Sequence, residues 1–177
     1  MLDRLALKGR AVDAADDETR EVYARYGLAM YFAQVVEHAV VNLMIALRLP
    51  ERGGLTQRDI DQFMDEAFAM TFGRLAKELR RMGQPTRLVE RDLDQARDLR
   101  NWLAHRYFRD RAVQFMSPAG RAAMLEELDD ATNSFLRVNE SLERLSAEIR
   151  AANNVSEDAV RQGYEQLLLE VRQWRPD

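Results

Sequence analysis

Residues 117–152 read SPAGRAAMLEELDDATNSFLRVNESLERLSAEIRAA, and this stretch decides the fold class. Ser117-Pro118 is an N-cap followed by a first-turn proline, whose fixed φ suits a helix start and whose missing N–H costs nothing there. Leu128, Phe135, Leu142 and Ile149 then recur at steps of seven, with Leu125, Val138 and Leu145 between them. That spacing places one apolar seam along a helix of some nine turns. Asn153-Asn154 ends it. Such a seam suits packing within the chain's own bundle and contact with a second copy equally well.

Working outward, the flanking segments carry the same helical period. Upstream, Asp16-Asp17-Glu18 puts acids where a helix start favours them, and no breaker interrupts the pattern from about Glu21 to Leu49, before Pro50 and Gly53-Gly54. Thr56 and Asp59 resemble a capping box. Ile60, Phe63, Met64, Ala67, Met70, Leu75 and Leu79 continue a helical stripe to Met82-Gly83, so a single second helix is expected over about 56–82. Pro85 opens a third, with Leu88, Ala96, Leu99 and Leu103 facing a core and the helix running toward Tyr107. Downstream of Asn154, Ser156 caps a fifth helix whose apolar face is Val160, Tyr164, Leu167, Leu168 and Val171, before Trp174. No alternating strand pattern and no internal repeat is present. The expectation is an all-α, up-and-down bundle of about five helices in a single domain over 1–177.

Composition narrows the function classes. The chain of 177 residues is one ordinary domain by length. Its 46% hydrophobic and 32% charged content, with 8 Gly and 4 Pro, is that of a helix-rich globular protein. There is no cysteine, which removes disulfides, thiolate metal sites and a cysteine nucleophile. Two histidines and scattered carboxylates show no ligand spacing, so neither a metal nor a cofactor is expected. Residues 1–10 lack a signal-peptide core, and a cytoplasmic location is expected. The segment 27–47 approaches bilayer-spanning length, but Gln34, Glu37, His38 and Asn42 would be costly in lipid, so a bundle helix and no membrane contact are expected. The net charge is −4, yet residues 74–111 carry 11 Lys or Arg against 6 Asp or Glu. A local positive field of this kind suits a polyanion.

That basic stretch contains Arg100-Asn101-Trp102-Leu103-Ala104-His105-Arg106-Tyr107-Phe108. Cleaving RNA without a metal requires a base for the 2′-hydroxyl, an acid for the leaving 5′-oxygen and a cation for the phosphorane. Histidine and arginine supply these roles. Five residues of ideal helix turn 500°, which sets Arg100 and His105 about 140° apart. Asn101, one turn before His105, shares its face with Asp94 and Asp98, where Asn101 could orient the imidazole and Asp98 tune the charge. Only one histidine serves here, so a twofold axis that joins two copies is the cheapest way to supply a second. Structural roles for the same residues are a C-terminal helix cation for His105, an ion pair with Asp94 or Asp98 for Arg100, and core or interface packing for Trp102, Tyr107 and Phe108. Glu37 and His38, in the first helix, are candidates to support the motif from behind or to satisfy each other inside the bundle.

The pattern Arg-Asn-x-x-x-His-x-Tyr on the third helix of an all-α bundle resembles the HEPN superfamily, whose signature is Arg followed by four to six residues and His. The resemblance covers about residues 21–110 and leaves 117–175 as a helical extension. It implies a metal-independent endoribonuclease that works as a homodimer, with Arg100 and His105 catalytic and Asn101 supporting. The spacing to Tyr107 is similar to that of the HepT toxins, whose partner nucleotidyltransferase adds AMP to the tyrosine, which would make Tyr107 a modification site and the protein a toxin–antitoxin or phage-defence component. The alternative is a non-catalytic helical module of the same shape that recognises a protein or nucleotide partner.

Overall fold

The computed structural model describes residues 14–48, 57–83 and 86–155, and every regular element among them is helical. The elements are α1 (Ala14–Arg48), α2 (Gln57–Phe68), α3 (Phe72–Arg81), a single 3₁₀ turn at Thr86–Leu88, α4 (Glu90–His105), α5 (Tyr107–Asp110), α6 (Ala112–Phe115) and α7 (Pro118–Ala152). The fifth helix expected from Ser156 onward lies outside the described residues, as does Pro85.

The two 35-residue helices, α1 and α7, form the spine. Arg121 pairs with Glu18 at 2.6 Å and Arg25 with Asp129 at 2.6 Å, so the two helices lie side by side and point the same way. Each brings a heptad to the contact. In α7 the fully buried Leu128, Phe135 and Leu142 mark it, and in α1 the fully buried Val22, Ala29, Val36 and Leu43 repeat at the same step of seven. The seam over 125–149 is therefore spent inside the chain's own core, where Met124, Ala131, Val138 and Leu145 join it. By length and composition α1 is also apolar enough to cross a bilayer; here its apolar side is laid against α7.

The other helices alternate in direction around that spine. Phe68 of α2 meets His38 and Phe63 meets Arg48, which sets α2 antiparallel to α1. Arg80 pairs with Asp94, while Gly73 faces Arg97, which sets α3 antiparallel to α4. Glu37 meets Arg100 and Tyr26 meets Leu103, so α4 descends along α1. The single helix expected over 56–82 is instead two, α2 and α3, separated at residues 69–71. The Thr71 side chain accepts from the backbone N–H of Arg74 and starts α3 as a new helix. The break lets α2 run against α1 while α3 turns back to cover α4, and each then buries its own apolar face.

Short α5 and α6 bridge α4 to α7. Ser117 accepts from the N–H of Gly120 at 3.1 Å and caps α7, and its neighbour Gly120 lies so close to the Gln114 carbonyl that a Cβ there would approach the oxygen to 2.1 Å. Replacing Ser117 with Ala removes the cap acceptor and is expected to lower stability by about 1 kcal/mol, read as a shifted urea midpoint with an unchanged slope.

Candidate functional site

Helix α4 positions the motif, and its faces divide the labour. Leu93, Ala96 and Leu103 are buried, and Arg100 projects near that same side, toward α1. The Arg100 guanidinium Nε lies 3.2 Å from Glu37 Oε1, with Glu37's side chain 20% exposed and that of Arg100 30% exposed. Its Nη1 also donates to Asn101 Oδ1 at 3.3 Å. Thus the arginine's ion-pair partner is Glu37 across the helix interface, not Asp94 or Asp98 on its own helix. Those two carboxylates are engaged elsewhere: Asp98 with Arg97 at 2.8 Å, and Asp94 with Arg80 and with Arg97 at 2.9 Å. Asp98 therefore does its charge-balancing at Arg97, one turn away from the arginine of the motif.

His105 is the final residue of α4, exposed, and among the described residues it has neither a hydrogen bond nor an ion pair. Asn101 is exposed on the same face. The helix ends only after His105, at Arg106, whose backbone (φ −134°, ψ −23°) turns the chain into α5. The kink thus comes too late to bring Arg100 and His105 together, and one chain presents them on diverging faces. His38 is exposed and its ring lies 4.4 Å from that of Phe68, so of the two first-helix candidates Glu37 alone touches the motif.

The turn at Arg106 sends Tyr107 into the core. Tyr107 is fully buried, its hydroxyl donates to the Met124 carbonyl at 3.2 Å, and its ring stacks on Tyr26 and meets Trp102 edge-on. Burial pushes its phenol well above the usual range, with the Glu127 charge adding to the rise and Arg111 opposing it. Transfer of AMP, expected at Tyr107 from the resemblance, needs an accessible, deprotonatable hydroxyl, and in this structure the hydroxyl is capped by a carbonyl inside the bundle. Trp102 and Phe108 likewise pack on the core.

Around Tyr107 lies a cluster that sequence spacing did not reveal. Arg111 makes a fork with Glu127 at 2.5 and 2.8 Å and stands over the Trp102 ring, whose indole donates to Asp110 at 3.2 Å. Arg111, in the turn between α5 and α6, and Glu127 on α7 are sixteen residues apart, a separation at which no sequence rule pairs charges. Partial desolvation works to raise the Asp110 carboxyl, but the Trp102 hydrogen bond and the nearby Arg106 and Arg109 guanidinium groups outweigh it and hold the carboxyl below its ordinary value of 3.8. A carboxyl lowered on folding stabilises the fold above its unfolded pKa, and that contribution is lost as the pH falls through the folded value. Wild-type protein is therefore expected to lose more stability between pH 5 and pH 2, roughly, than Asp110→Asn does, measured by urea unfolding across that range.

A cavity of about 470 Å³ between α4 and α7 lies on another face of α4, lined by Asp92, Gln95, Ala96 and Leu99 and not by Arg100, Asn101 or His105. Among the described residues no group of His, Asp and Glu could hold a metal ion. Compared with protein-family models, curated proteins and solved structures, the chain matches none.

Proposed function

We propose that the protein is a metal-independent endoribonuclease of HEPN type, active as a homodimer and belonging to a toxin–antitoxin or phage-defence system. The observation that carries the reading is the exposed His105 imidazole, free of any side-chain partner among the described residues, one turn from an exposed Asn101 that accepts from Arg100. A free surface imidazole supports proton transfer, and an arginine held near the motif by an ion pair with Glu37 supports a phosphate contact. Because the two residues diverge on one chain, a cleft would form where two copies meet. There the 2′-hydroxyl attacks phosphorus while one imidazole takes its proton. The P–O5′ bond breaks as an imidazolium returns a proton to the leaving oxygen, and the products are a 2′,3′-cyclic phosphate and a 5′-hydroxyl. Arg100 holds the phosphorane charge, Asn101 orients the imidazole and Glu37 positions Arg100.

A second reading is favoured by one specific observation: Arg100 already has a carboxylate partner in the isolated chain, as a structural arginine would. In that reading the protein is a non-catalytic helical module that recognises a protein or nucleotide. RNA incubated with the purified protein in EDTA, with end analysis, separates the two, alongside sedimentation to establish the dimer. Cleavage leaving cyclic phosphate ends is expected. Intact RNA at high concentration of a verified dimer would overturn the nuclease reading. A nucleotidyltransferase antitoxin, if one serves this protein, would act by a route other than the native, buried Tyr107 hydroxyl.

A further inference from the structure

The last turn of α4 ends on carbonyls that the backbone leaves open. The Arg106 N–H still donates to the Trp102 carbonyl at 2.9 Å and closes the helical ladder. Arg106 then departs from helical geometry (φ −134°, ψ −23°), and the next bond of this kind runs from the Asp110 N–H to the Arg106 carbonyl at 2.8 Å. Among the described residues no backbone N–H crosses the turn to the carbonyls of Leu103, Ala104 or His105. Helix ends need outside partners for such groups. For Leu103 the partner is a side chain of α1: the Tyr26 hydroxyl donates to its carbonyl at 3.2 Å.

The Tyr26 ring is itself held in place. It stacks on Tyr107 with centroids 5.9 Å apart and meets Phe108 at 4.9 Å, the two residues that follow the turn. Tyr26 is half-buried, so its hydrogen bond is partly shielded from water. Eleven residues separate Tyr26 from Glu37, about three turns of helix, and the two project within about 20° of each other. One face of α1 therefore meets both halves of the motif. Glu37 pairs with Arg100 at 3.2 Å, and Tyr26 closes the turn that carries His105. Leu103 and His105 belong to the same last turn, and the winding of that turn is what sets His105 over Asn101. If it frays, His105 swings away from Asn101 while Arg100 stays on Glu37.

We infer that Tyr26 is a positioning residue for His105, acting through the Leu103 carbonyl, so that α1 fixes the imidazole as well as the arginine of the motif. As a statement about RNA cleavage this rests on the nuclease reading above; as a statement about where the imidazole sits it stands without it.

Tyr26→Phe in the full chain removes one hydroxyl and keeps the ring against Tyr107 and Phe108. The chain has two histidines, so the imidazole carbon–proton NMR spectrum contains one signal from His105 and one internal control from His38. In Tyr26→Phe the His105 signal is expected to shift and broaden while that of His38 stays in place. Amide exchange over 103–106 is expected to quicken about threefold to tenfold, the weight of one net hydrogen bond, with exchange over 90–97 unchanged. Ser117→Ala lowers overall stability without touching this turn, and the His105 signal should not move in it. An unmoved His105 signal in Tyr26→Phe, or an equal displacement in Ser117→Ala, would overturn the inference. In the EDTA cleavage assay, kcat of Tyr26→Phe is expected to fall about tenfold at unchanged KM, because a loosely placed proton-transfer group costs rate and not binding. An unchanged kcat beside a displaced His105 signal would overturn the positioning role. If the wild-type protein leaves RNA intact, the nuclease reading falls, and the NMR and exchange results still decide whether Tyr26 places His105.

Discussion

His105→Ala is expected to abolish RNA cleavage in EDTA, with the dimer and the helical signal intact. The imidazole is exposed and without a protein partner, so its removal creates no cavity and leaves no buried group unpaired. Loss of one proton-transfer group costs about 10²–10⁴-fold in rate, and a twofold site loses both copies at once. Arg100→Ala is expected to remove the phosphorane contact at a cost of about 10²–10³-fold, and it also strands Glu37 at the α1–α4 contact, so a fall in thermal stability should accompany it. Glu37→Gln separates position from chemistry. It leaves the guanidinium in place but less firmly held, so cleavage should weaken with the dimer intact. Equal activity of wild type and His105→Ala would remove the catalytic assignment.

Phe135→Ala is expected to cost about 3–5 kcal/mol, the largest single loss of stability in the fold. Phe135 is fully buried at the centre of the α7 heptad and belongs to the same core cluster as Ala29 and Ala33 of α1. The spine helices, tied toward their N-terminal ends by the Glu18–Arg121 and Arg25–Asp129 pairs, resist closing over a void there. Chemical denaturation should show the fall in midpoint. A loss under about 1 kcal/mol would mean that the seam faces solvent or another copy instead of the core.

Most of the helices could be read directly. The α7 boundaries follow from Ser117-Pro118 and Asn153-Asn154 because caps are local hydrogen-bond events between neighbours in sequence. The stripe in α1 is legible for a similar reason, since a face repeats every few residues whatever it touches. The break at residues 69–71 was hidden. Its cap is a threonine with arginine at the third helical position, the one nearby glycine, Gly73, lies inside α3 and not in the gap, and the apolar spacing runs on across it. Only the need to lay α2 on α1 and α3 on α4 selects two helices over one.

The site divides in the same way. Sequence alone determined which residues share a face: Asn101 with His105, and Arg100 turned about 100° from Asn101 and about 140° from His105, because helix geometry fixes those angles before any partner arrives. Tertiary structure alone decided the partners. Glu37 reaches Arg100 from 63 residues away. The turn at Arg106 buries Tyr107 under the Met124 carbonyl, and Arg111 and Glu127 close over it. Those outcomes depend on where whole helices lie against each other, and packing between distant segments leaves no periodic trace in the chain that it joins.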